Sequence, residues 1–249
     1  MDLSRRSDQK ECLDRDDIPF DAIERNMQEL NTINTWLGGH AVSISGLKQL
    51  LKGGTGEWAT STGVKGGAIS KKMLNLCEIG AGGGDNLIAL SRYCQQKGIG
   101  VQLTGIDINP HCIAVARKKI TDGDARWFPS DYRLVHFGDG KPDIIFSSLF
   151  CHHFTDDELV AMLGWMQSNA RSGFFINDLH RNFFAYHSIR LLTRWLSRSW
   201  LVKNDAPVSV LRGFSREEWR QLLARAGIKD YSLRWKWAFR WLLVVRVGS

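Results

Sequence analysis

The segment Leu76-Cys77-Glu78-Ile79-Gly80-Ala81-Gly82-Gly83-Gly84-Asp85 runs from an apolar strand through a glycine-rich turn into a helix. Glycines suit such a turn because it is tight and because a ligand can approach a backbone that carries no Cβ atoms. The next predicted strand ends in Gly105-Ile106-Asp107-Ile108, so an acid stands beside the first turn. There its carboxylate can accept hydrogen bonds from ribose hydroxyls. The two features predict a site for a ligand that carries an adenosine.

The spacing of the glycines argues against a dinucleotide. A G-x-G-x-x-G fingerprint that starts at Gly80 requires glycine at position 85, which is Asp85. A carboxylate at the start of the helix would also repel the pyrophosphate that a helix N-terminus attracts. The turn therefore favours an adenosine ligand without a diphosphate.

Strands and helices alternate from this motif to residue 178, which predicts parallel strands joined by helical crossovers. The predicted strands cover residues 73–79, 101–108, 125–128, 143–149 and 173–178, and the predicted helices cover 85–97, 110–120 and 155–170. Two final strand-like runs, 229–237 and 241–247, are separated by too few residues for a parallel crossover and predict an antiparallel hairpin. We expect an α/β fold with a mostly parallel sheet of seven strands, the last one antiparallel.

The chain before this core is predicted to form a tail and a helical cap. Residues 1–17 mix charges of both signs with few apolar groups and are expected to be a flexible tail. Apolar residues at helical spacing predict helices at 17–37 and 45–51, and the glycine-rich residues 53–70 predict a loop. Residues 18–70 are then a cap and linker that precede a domain of residues 71–249. The cap is expected to close over the site and to bring Trp36 and His40 to the substrate pocket.

The glycine motif resembles that of class I S-adenosylmethionine-dependent methyltransferases, in which an acid and any one residue precede G-x-G-x-G. The resemblance covers about residues 73–247 and implies a Rossmann-like, doubly wound sheet with S-adenosylmethionine as cofactor. It implies that Glu78 positions the methionine amino end, Asp107 the ribose and Asp131 the adenine amine, with Asp124 as a competitor of Asp131. The implied cofactor site consists of Glu78, Gly80, Ala81, Gly82, Gly84, Asp107, Ile108, Asp131, Tyr132 and Ser147.

The acceptor is expected where the fourth strand ends, because ligands of open α/β sheets lie at the carboxyl ends of strands. Residues 147–154 contain neither the prolines typical of amino-methylating nucleic-acid enzymes nor the cysteine after proline typical of cytosine-carbon methylation. Their Leu-x-x-His-His arrangement resembles methyltransferases of small molecules, including those of ubiquinone and menaquinone synthesis. Residues 177–180, together with the helix near residue 30, resemble bacterial methyltransferases associated with type III polyketide synthases.

Histidine can remove a phenol or enol proton near neutral pH, which makes His152, His153 and His180 the candidate bases. Each of them has the alternative of capping a helix or hydrogen-bonding within the core. Phe150 is assigned to the substrate pocket. No metal site is predicted, because Cys151, His152 and His153 are consecutive and side chains on an extended segment point apart.

A helical insertion at about residues 181–212 carries Arg190, Arg194 and Arg198 at helical spacing beside Leu191 and Trp195. Three interpretations stay open: contact with an anionic membrane surface, a lid over an apolar substrate, or an ordinary amphipathic helix on the core. The formal net charge of +7 also admits an acidic protein as a partner. Nucleic acid is disfavoured, since no separate RNA-binding module is present.

The five cysteines are scattered and contain no C-x-x-C pair, which fits a reducing cytoplasm, and no apolar leader or membrane span is predicted. The leading hypothesis is a cytoplasmic methyltransferase of secondary metabolism. It methylates oxygen, in preference to carbon, on a small apolar phenolic, quinone-like or polyketide acceptor. An RNA-modifying methyltransferase or RNA-binding protein and a catalytically silent cofactor-binding scaffold are the alternatives.

Overall fold

A seven-stranded sheet in the order β3-β2-β1-β4-β5-β7-β6 forms the centre of the computed structural model, which describes residues 2–15, 17–52, 73–120 and 125–247. The strands are β1 (Leu74–Ile79), β2 (Val101–Asp107), β3 (Ala125–Pro129), β4 (Ile144–Ser148), β5 (Gly173–Leu179), β6 (Tyr231–Lys236) and β7 (Arg240–Arg246). Neighbouring strands are parallel except that β7 runs antiparallel to β5 and β6. The predicted fold class is confirmed.

Helices cover both faces of this sheet. They are α1 (Phe20–Trp36), α2 (Gly39–Leu51), α3 (Asp85–Gln96), α4 (Pro110–Lys119), α5 (Asp156–Asn169), α6 (Phe183–Leu196), α7 (Trp200–Arg212) and α8 (Arg216–Arg225). Side chains of α2, α3 and α4 pack with Leu76 and Phe146 on one face, and those of α5 and α8 pack with Ile145 and Phe174 on the other. The strand order reverses between β1 and β4, the place where open α/β sheets form a ligand crevice.

Only part of the predicted cap lies over the carboxyl edge of the sheet. The second helix begins at Gly39 rather than near residue 45, because Gly38 adopts a left-handed φ of +72° and turns the chain directly from α1 into α2. It then packs on the sheet, where a Cβ on Gly46 would lie 2.6 Å from the ring of Phe175. Thus α2 is a core helix and α1 alone forms the cap. The predicted loop at 53–70 lies outside the described residues.

The N-terminal residues 2–15 pack on the domain, which differs from the flexible tail expected for 1–17. The Ser7 amide donates to the Leu211 carbonyl at 3.1 Å. The Asp205 carboxylate accepts from the amides of Cys12 and Leu13 at 2.8 and 3.0 Å, ahead of a short 3-10 turn. Composition suggested a tail because charged residues predominate, but Arg6 and Glu11 form ion pairs with Asp156 and His152 of the domain.

The predicted insertion consists of two helices rather than one. Helix α6 ends before Ser197, and Ser199 caps α7 by accepting from the amide of Val202. The carboxylate of Glu29 on α1 accepts from the amides of Arg198 and Ser199 at this break, at 3.0 Å each. The cap and the insertion therefore hold each other. None of the helices within the described ranges is long and apolar enough to cross a membrane.

Candidate active site

The glycine-rich turn between β1 and α3 opens the site. Gly80, Gly82 and Gly84 have φ values of +67°, +51° and +74°, in the left-handed region that glycine adopts at little cost. A Cβ on Gly80 would lie 2.2 Å from the ring of Phe150, and one on Gly84 would lie 2.8 Å from that of Trp127. Both glycines are thus required for close packing as well as for the turn.

Asp107 ends β2 beside this turn, as the sequence indicated. Its carboxylate accepts from the Gly82 amide at 2.8 Å and from the Asn109 amide at 2.9 Å. Burial raises the pKa of Asp107 above its ordinary value, and these two bonds oppose that shift. Each carboxylate oxygen retains a further lone pair. The side chain can therefore fix the turn and still accept bonds from ligand hydroxyls.

Glu78 is a buried acid with one oxygen that lacks a partner, while hydrogen bonds from Leu87 and Asn86 reach its carboxylate. Its side chain is 1% exposed, and its Oε2 makes no hydrogen bond with any described residue. Burial, together with the nearby carboxylates of Asp85 and Asp107, raises its pKa well above the ordinary value. A buried carboxylate without a partner is costly. The ammonium group of a methionine moiety has the charge and the donors that this oxygen lacks, so the residues present fit S-adenosylmethionine.

Asp131 and Tyr132 follow β3 and also line the cavity. The Asp131 carboxylate accepts from the backbone amide of Arg133 at 2.9 Å and forms an ion pair with the Arg133 guanidinium. The competing Asp124 lies outside the described residues. Ser147 does not reach the cavity, because its side chain points into the core and lies 3.4 Å from the Cys151 sulfur.

A cavity of about 1020 Å³ lies above the carboxyl ends of the strands, between the sheet and helices α1, α6 and α7. The predicted cofactor residues Ala81 and Ile108 line it, as does Phe150 of the predicted pocket. The roof has an apolar part, with Ile23, Met27, Leu30 and Ile33 from α1 and Ala185, Ile189 and Leu192 from α6, and a polar part with Asn26, Asn31, Asn34 and Ser188. The inner face of α6 therefore covers one side of the cavity with mainly apolar side chains.

His152 lies between two carboxylates. Its Nδ1 is 2.7 Å from Asp178 Oδ1, and its Nε2 is 3.3 Å from Glu11 Oε1. Burial alone would lower its pKa, but Asp178 and Glu11 outweigh that effect and raise the pKa of His152 to about 9. Its charged form in turn lowers the pKa of both acids. At neutral pH the raised pKa favours the imidazolium, whose Nδ1 is hydrogen-bonded to Asp178 and whose Nε2 lies at ion-pair distance from Glu11.

His153 faces the cavity beside it. Its Nδ1 lies 3.0 Å from Asp14 Oδ1, off the line of a hydrogen bond, and its Nε2 lies 3.8 Å from Glu11 Oε2. The side chain is 21% exposed, whereas that of His152 is 3% exposed. Both histidines line the cavity, and His153 is the more accessible of the two.

Two arginines hold the backbone of this histidine segment. Arg212 donates to the carbonyls of His152 and His153 at 2.9 and 2.7 Å. Arg6 donates to the carbonyls of His152 and Phe154 at 3.2 and 2.7 Å. The N-terminal segment and α7 therefore help to determine where the two imidazoles point.

Three predicted site residues lie outside the cavity. Trp36 is 68% exposed at the end of α1, and His40 is hydrogen-bonded to asparagine side chains of α1 and α3. His180 accepts from the indole of Trp235 at 3.3 Å and lies edge-on to Trp241, so it belongs to the β5–β7 packing. Neither Trp36 nor His40 lines the cavity, because Trp36 points to solvent and the His40 ring is held between α1 and α3, although the neighbouring Leu37 does line it. His180 does not line the cavity, so it cannot serve as a base there.

The side chains of His152 and His153 do not point apart, which differs from the expectation for consecutive residues on an extended segment. Cys151–His153 is a 3-10 turn rather than an extended segment, and the two imidazole centroids are 4.5 Å apart. Ligand atoms of Glu11, His152 and His153 all lie within 4.8 Å of one another. Cys151 does point away, with its sulfur 3.9 Å from that of Met162, and burial raises its thiol pKa. That the site works without a metal stays a prediction.

Sequence reasoning missed the partners that come from distant parts of the chain. Glu11 and Asp14 were placed in a tail, Arg212 in the helical insertion, and Arg240 in the link between the two final strands. Asn34 also lines the cavity. A possible signal was the acid pair three residues apart, Glu11 and Asp14, in a segment otherwise poor in pattern. No feature of the neighbouring sequence related this acid pair to the histidines.

Comparisons with known proteins agree with this geometry. Residues 76–173 match the family model of a methyltransferase domain, and no curated protein matches the chain. Human N-acetylserotonin methyltransferase in complex with S-adenosylmethionine shares the fold at 15% identity and a TM-score of 0.59, over 93% of this chain and 57% of that one. The chain thus spans little more than half of the human enzyme.

Two further structures match over most of both chains. The plantazolicin methyltransferase BpumL, bound to a monoazolic desmethyl-plantazolicin analogue and S-adenosylhomocysteine, has 14% identity and a TM-score of 0.58, over 92% and 96% of the two chains. Magnesium protoporphyrin IX methyltransferase from Synechocystis PCC 6803 with S-adenosylmethionine has 14% identity and a TM-score of 0.52, over 94% and 100%.

At these identities the structural likeness shows the fold, while the matched domain and the glycine turn carry the chemistry. All three structures contain a sulfonium cofactor or its product. Residues 76–173 thus form a methyltransferase domain, and together with the sheet order and the glycine turn they indicate an S-adenosylmethionine-dependent methyltransferase.

Proposed function

We propose that the protein methylates a hydroxyl oxygen of a small acceptor with an apolar body, such as a phenolic, quinone-like or polyketide compound of secondary metabolism. The observation that carries this proposal is the histidine and carboxylate cluster at the carboxyl end of β4, which faces an apolar cavity beside the cofactor turn. Oxygen methylation needs a group that takes the hydroxyl proton, and imidazole serves well near neutral pH.

The cofactor roles follow the geometry of the turn. Glu78 would hold the ammonium of the methionine moiety, Asp107 the ribose hydroxyls and Asp131 the adenine amine, all from the cavity wall. When bound, S-adenosylmethionine supplies an electrophilic methyl group, whose bond to sulfur breaks as a bond to the acceptor oxygen forms. The apolar roof from α1 and α6 would exclude water from that reaction.

His153 is the proposed base, in preference to His152. At neutral pH His152 is a poor base, because its pKa is raised to about 9, its Nδ1 is hydrogen-bonded to Asp178 and its Nε2 lies 3.3 Å from Glu11. His153 Nε2 forms no hydrogen bond with a described residue and stands at the cavity wall. His153 would remove the hydroxyl proton and release it to water afterwards. Asp14, next to Nδ1, would stabilise the imidazolium that forms.

The apolar character of the acceptor rests on the roof of the cavity. Seven apolar side chains of α1 and α6 face it beside three asparagines and a serine, and Phe150 adds an aromatic ring beside the histidines. Pockets of this composition bind ligands mainly through burial of apolar surface, with a few polar groups that orient them. A phenol or a polyketide has that division between an apolar body and a reacting hydroxyl.

The outer face of α6 supports a second part of the proposal, a peripheral contact with an anionic membrane. Phe184, Leu191 and Trp195 are 67%, 60% and 77% exposed there, beside the exposed Arg190 and Arg194. Apolar groups flanked by cations are typical of helices that lie at a lipid surface. An acceptor of low solubility would then enter from the membrane.

The test is methyl transfer from labelled S-adenosylmethionine to a panel of phenols, resorcinols and hydroxyquinones, each paired with its methyl ether. We expect label only in compounds with a free hydroxyl. The variant His153→Gln should lower kcat by about 100-fold or more, the usual contribution of a general base. His180→Gln is the matched control and should keep its rate. Label on carbon, or an unchanged kcat for His153→Gln, would contradict the proposal.

A further inference from the structure

Arg240 is a buried cation at the wall of the cavity. It is the first residue of β7, is 3% exposed and pairs with Leu179 at the end of β5. Its Nη2 donates to Asn34 Oδ1 on α1 at 2.7 Å. Its Nε and Nη1 find no acceptor among the residues that the structure describes. The three N–H groups on Nε and Nη1 of this charged side chain are thus buried without a bond.

The nearest acid does not satisfy this guanidinium. Asp178 is close enough to favour the charged form of Arg240, yet its oxygens accept from His152 Nδ1 and from the amides of Phe150, Cys151 and Leu179. Burial lowers the pKa of Arg240 to about 10, so the side chain is still charged at neutral pH. An uncompensated buried charge is strongly destabilising. Such a residue indicates a missing anion.

The position of the guanidinium selects the ligand. Asn34 fixes Nη2 of the Arg240 guanidinium. Leu179, Phe239 and Arg240 line the cavity on the side of β5 and β7. Glu78, which faces the cofactor, lies on β1, three strands away and about 14 Å at the usual spacing between strands. The unpaired donors therefore belong to the acceptor side of the cavity.

We propose that Arg240 binds a carboxylate of the methyl acceptor, so that the substrate is an apolar hydroxy acid rather than a neutral phenol. The planar fork matches a carboxylate, and charge-assisted bonds of this kind are short and strong. The carboxylate would hold one end of the acceptor while His153 meets its hydroxyl. This inference rests on the proposed function for the hydroxyl. The methionine carboxylate of the cofactor offers the same chemistry, and the experiment separates the two sources.

The experiment measures binding, so that it does not depend on turnover. Protein saturated with S-adenosylhomocysteine is titrated calorimetrically with 2-naphthoate and with 2-naphthamide, which has the same shape and no charge. We expect the carboxylate to bind at least ten-fold more tightly, and Arg240→Met to abolish that preference. Arg240→Lys keeps the charge without the fork and should retain part of it. Arg246→Met, on the same strand but bonded to the Gln49 and Leu50 carbonyls, should behave as wild type.

The cofactor arm compares S-adenosylhomocysteine with its decarboxylated analogue, which keeps the amino group. If Arg240 belongs to the acceptor site, Arg240→Met leaves the affinities for S-adenosylhomocysteine and for its decarboxylated analogue unchanged. If Arg240→Met lowers the affinity for S-adenosylhomocysteine alone by ten-fold or more, Arg240 binds the carboxylate of the cofactor and the proposal is wrong. It is also wrong if wild-type protein does not prefer naphthoate, or if the preference survives in Arg240→Met. Should Arg240→Met fail to fold, Arg240→Lys decides, and a preference equal to that of wild type then overturns the proposal. A hydroxyl methyltransferase without the preference would leave the proposed function intact.

Discussion

At the scale of single residues, the site contains one buried acid with an unsatisfied oxygen and two others that share a histidine between them. Glu78 lacks a hydrogen bond to Oε2, whereas Glu11 and Asp178 share the imidazolium of His152. The first arrangement costs stability until a cation binds, and the second stabilises the fold itself. Residues of the same type thus have opposite effects, depending on which groups surround them.

This contrast leads to a prediction for Glu78→Gln. The substitution removes the charge with little change in shape, so the ligand-free protein should have an equal or higher Tm. Affinity for S-adenosylmethionine should fall by about 1–3 kcal/mol, through loss of a charge-assisted bond. Calorimetry and thermal unfolding measure the two effects. The exposed Glu217→Gln on α8 is the control, and an unchanged affinity of folded Glu78→Gln would remove Glu78 from the cofactor site.

At the scale of elements, the N-terminal segment, α1 and the α6–α7 pair enclose the cavity that the sheet alone leaves open. α1 lies against the glycine turn, where a Cβ on Gly82 would come within 3.5 Å of the Met27 sulfur. Glu29 on α1 binds the α6–α7 junction. These elements are linked to one another as well as to the sheet, so they should open or close together.

Removal of residues 1–37 tests the role of α1 and the N-terminal segment as a lid. The deletion stops before Gly39, because α2 belongs to the core layer and its loss would damage the fold. Turnover should fall about 100-fold or more, since positioning and exclusion of water are both lost. Binding of S-adenosylhomocysteine should stay measurable, because Glu78 and Asp107 are retained. The control Trp36→Ala should be fully active, and a folded, fully active truncated chain would contradict a lid.

The outer face of α6 gives a prediction at the same scale. The protein should sediment with vesicles that contain phosphatidylglycerol, less so at 0.5 M than at about 0.1 M salt, because surface charge is screened. Trp195→Glu should weaken this binding and leave turnover of a soluble phenol unchanged. Trp36→Glu carries the same change on another exposed surface and should bind as wild type. Equal binding to neutral vesicles would exclude the electrostatic part of the proposal.

At the scale of the whole molecule, His152 joins three regions that lie far apart in the sequence. Glu11 of the N-terminal segment, His152 after β4 and Asp178 in β5 meet in one buried ion cluster. Because the two acids and the imidazole stabilise one another's charged forms, the stability of the molecule should depend on pH.

The direction of this dependence follows from the pKa shifts. His152 has a pKa raised from 6.5 to about 9, so its contribution is complete below 6.5 and is lost as the pH rises through 9. Glu11 and Asp178 have lowered pKa values, so theirs is present above 4.5 and is lost as the pH falls through the lowered values. The free energy of unfolding should therefore decline between pH 7 and 10. Urea unfolding of His152→Gln should show a shallower decline, with the exposed His111→Gln as control. Equal slopes would contradict the cluster.

Local features of the sequence were sufficient for the fold and for the cofactor turn. The seven-stranded sheet was predicted from the alternation of strands and helices and from the short link between the last two strands. Both signals can be read from the sequence because each depends on only a few consecutive residues. Gly80 to Gly84 and Asp107 could also be predicted from local features. They lie at the ends of two consecutive strands, and consecutive strands of an α/β unit are adjacent in the sheet. The helix boundaries at Gly39 and Ser199 were less accurate, since single residues in loops determine them.

The tertiary structure alone decided which polar groups face the acceptor. Glu11, Asp14 and Arg240 reach the cavity from the two ends of the chain, and no local pattern relates them to His152 or His153. Proton affinity depends on burial and on distances to other charges, which exist only after folding. For that reason the sequence proposed three equivalent histidines, whereas folding makes His152 a buried imidazolium, leaves His153 at the cavity and turns His180 into a packing residue.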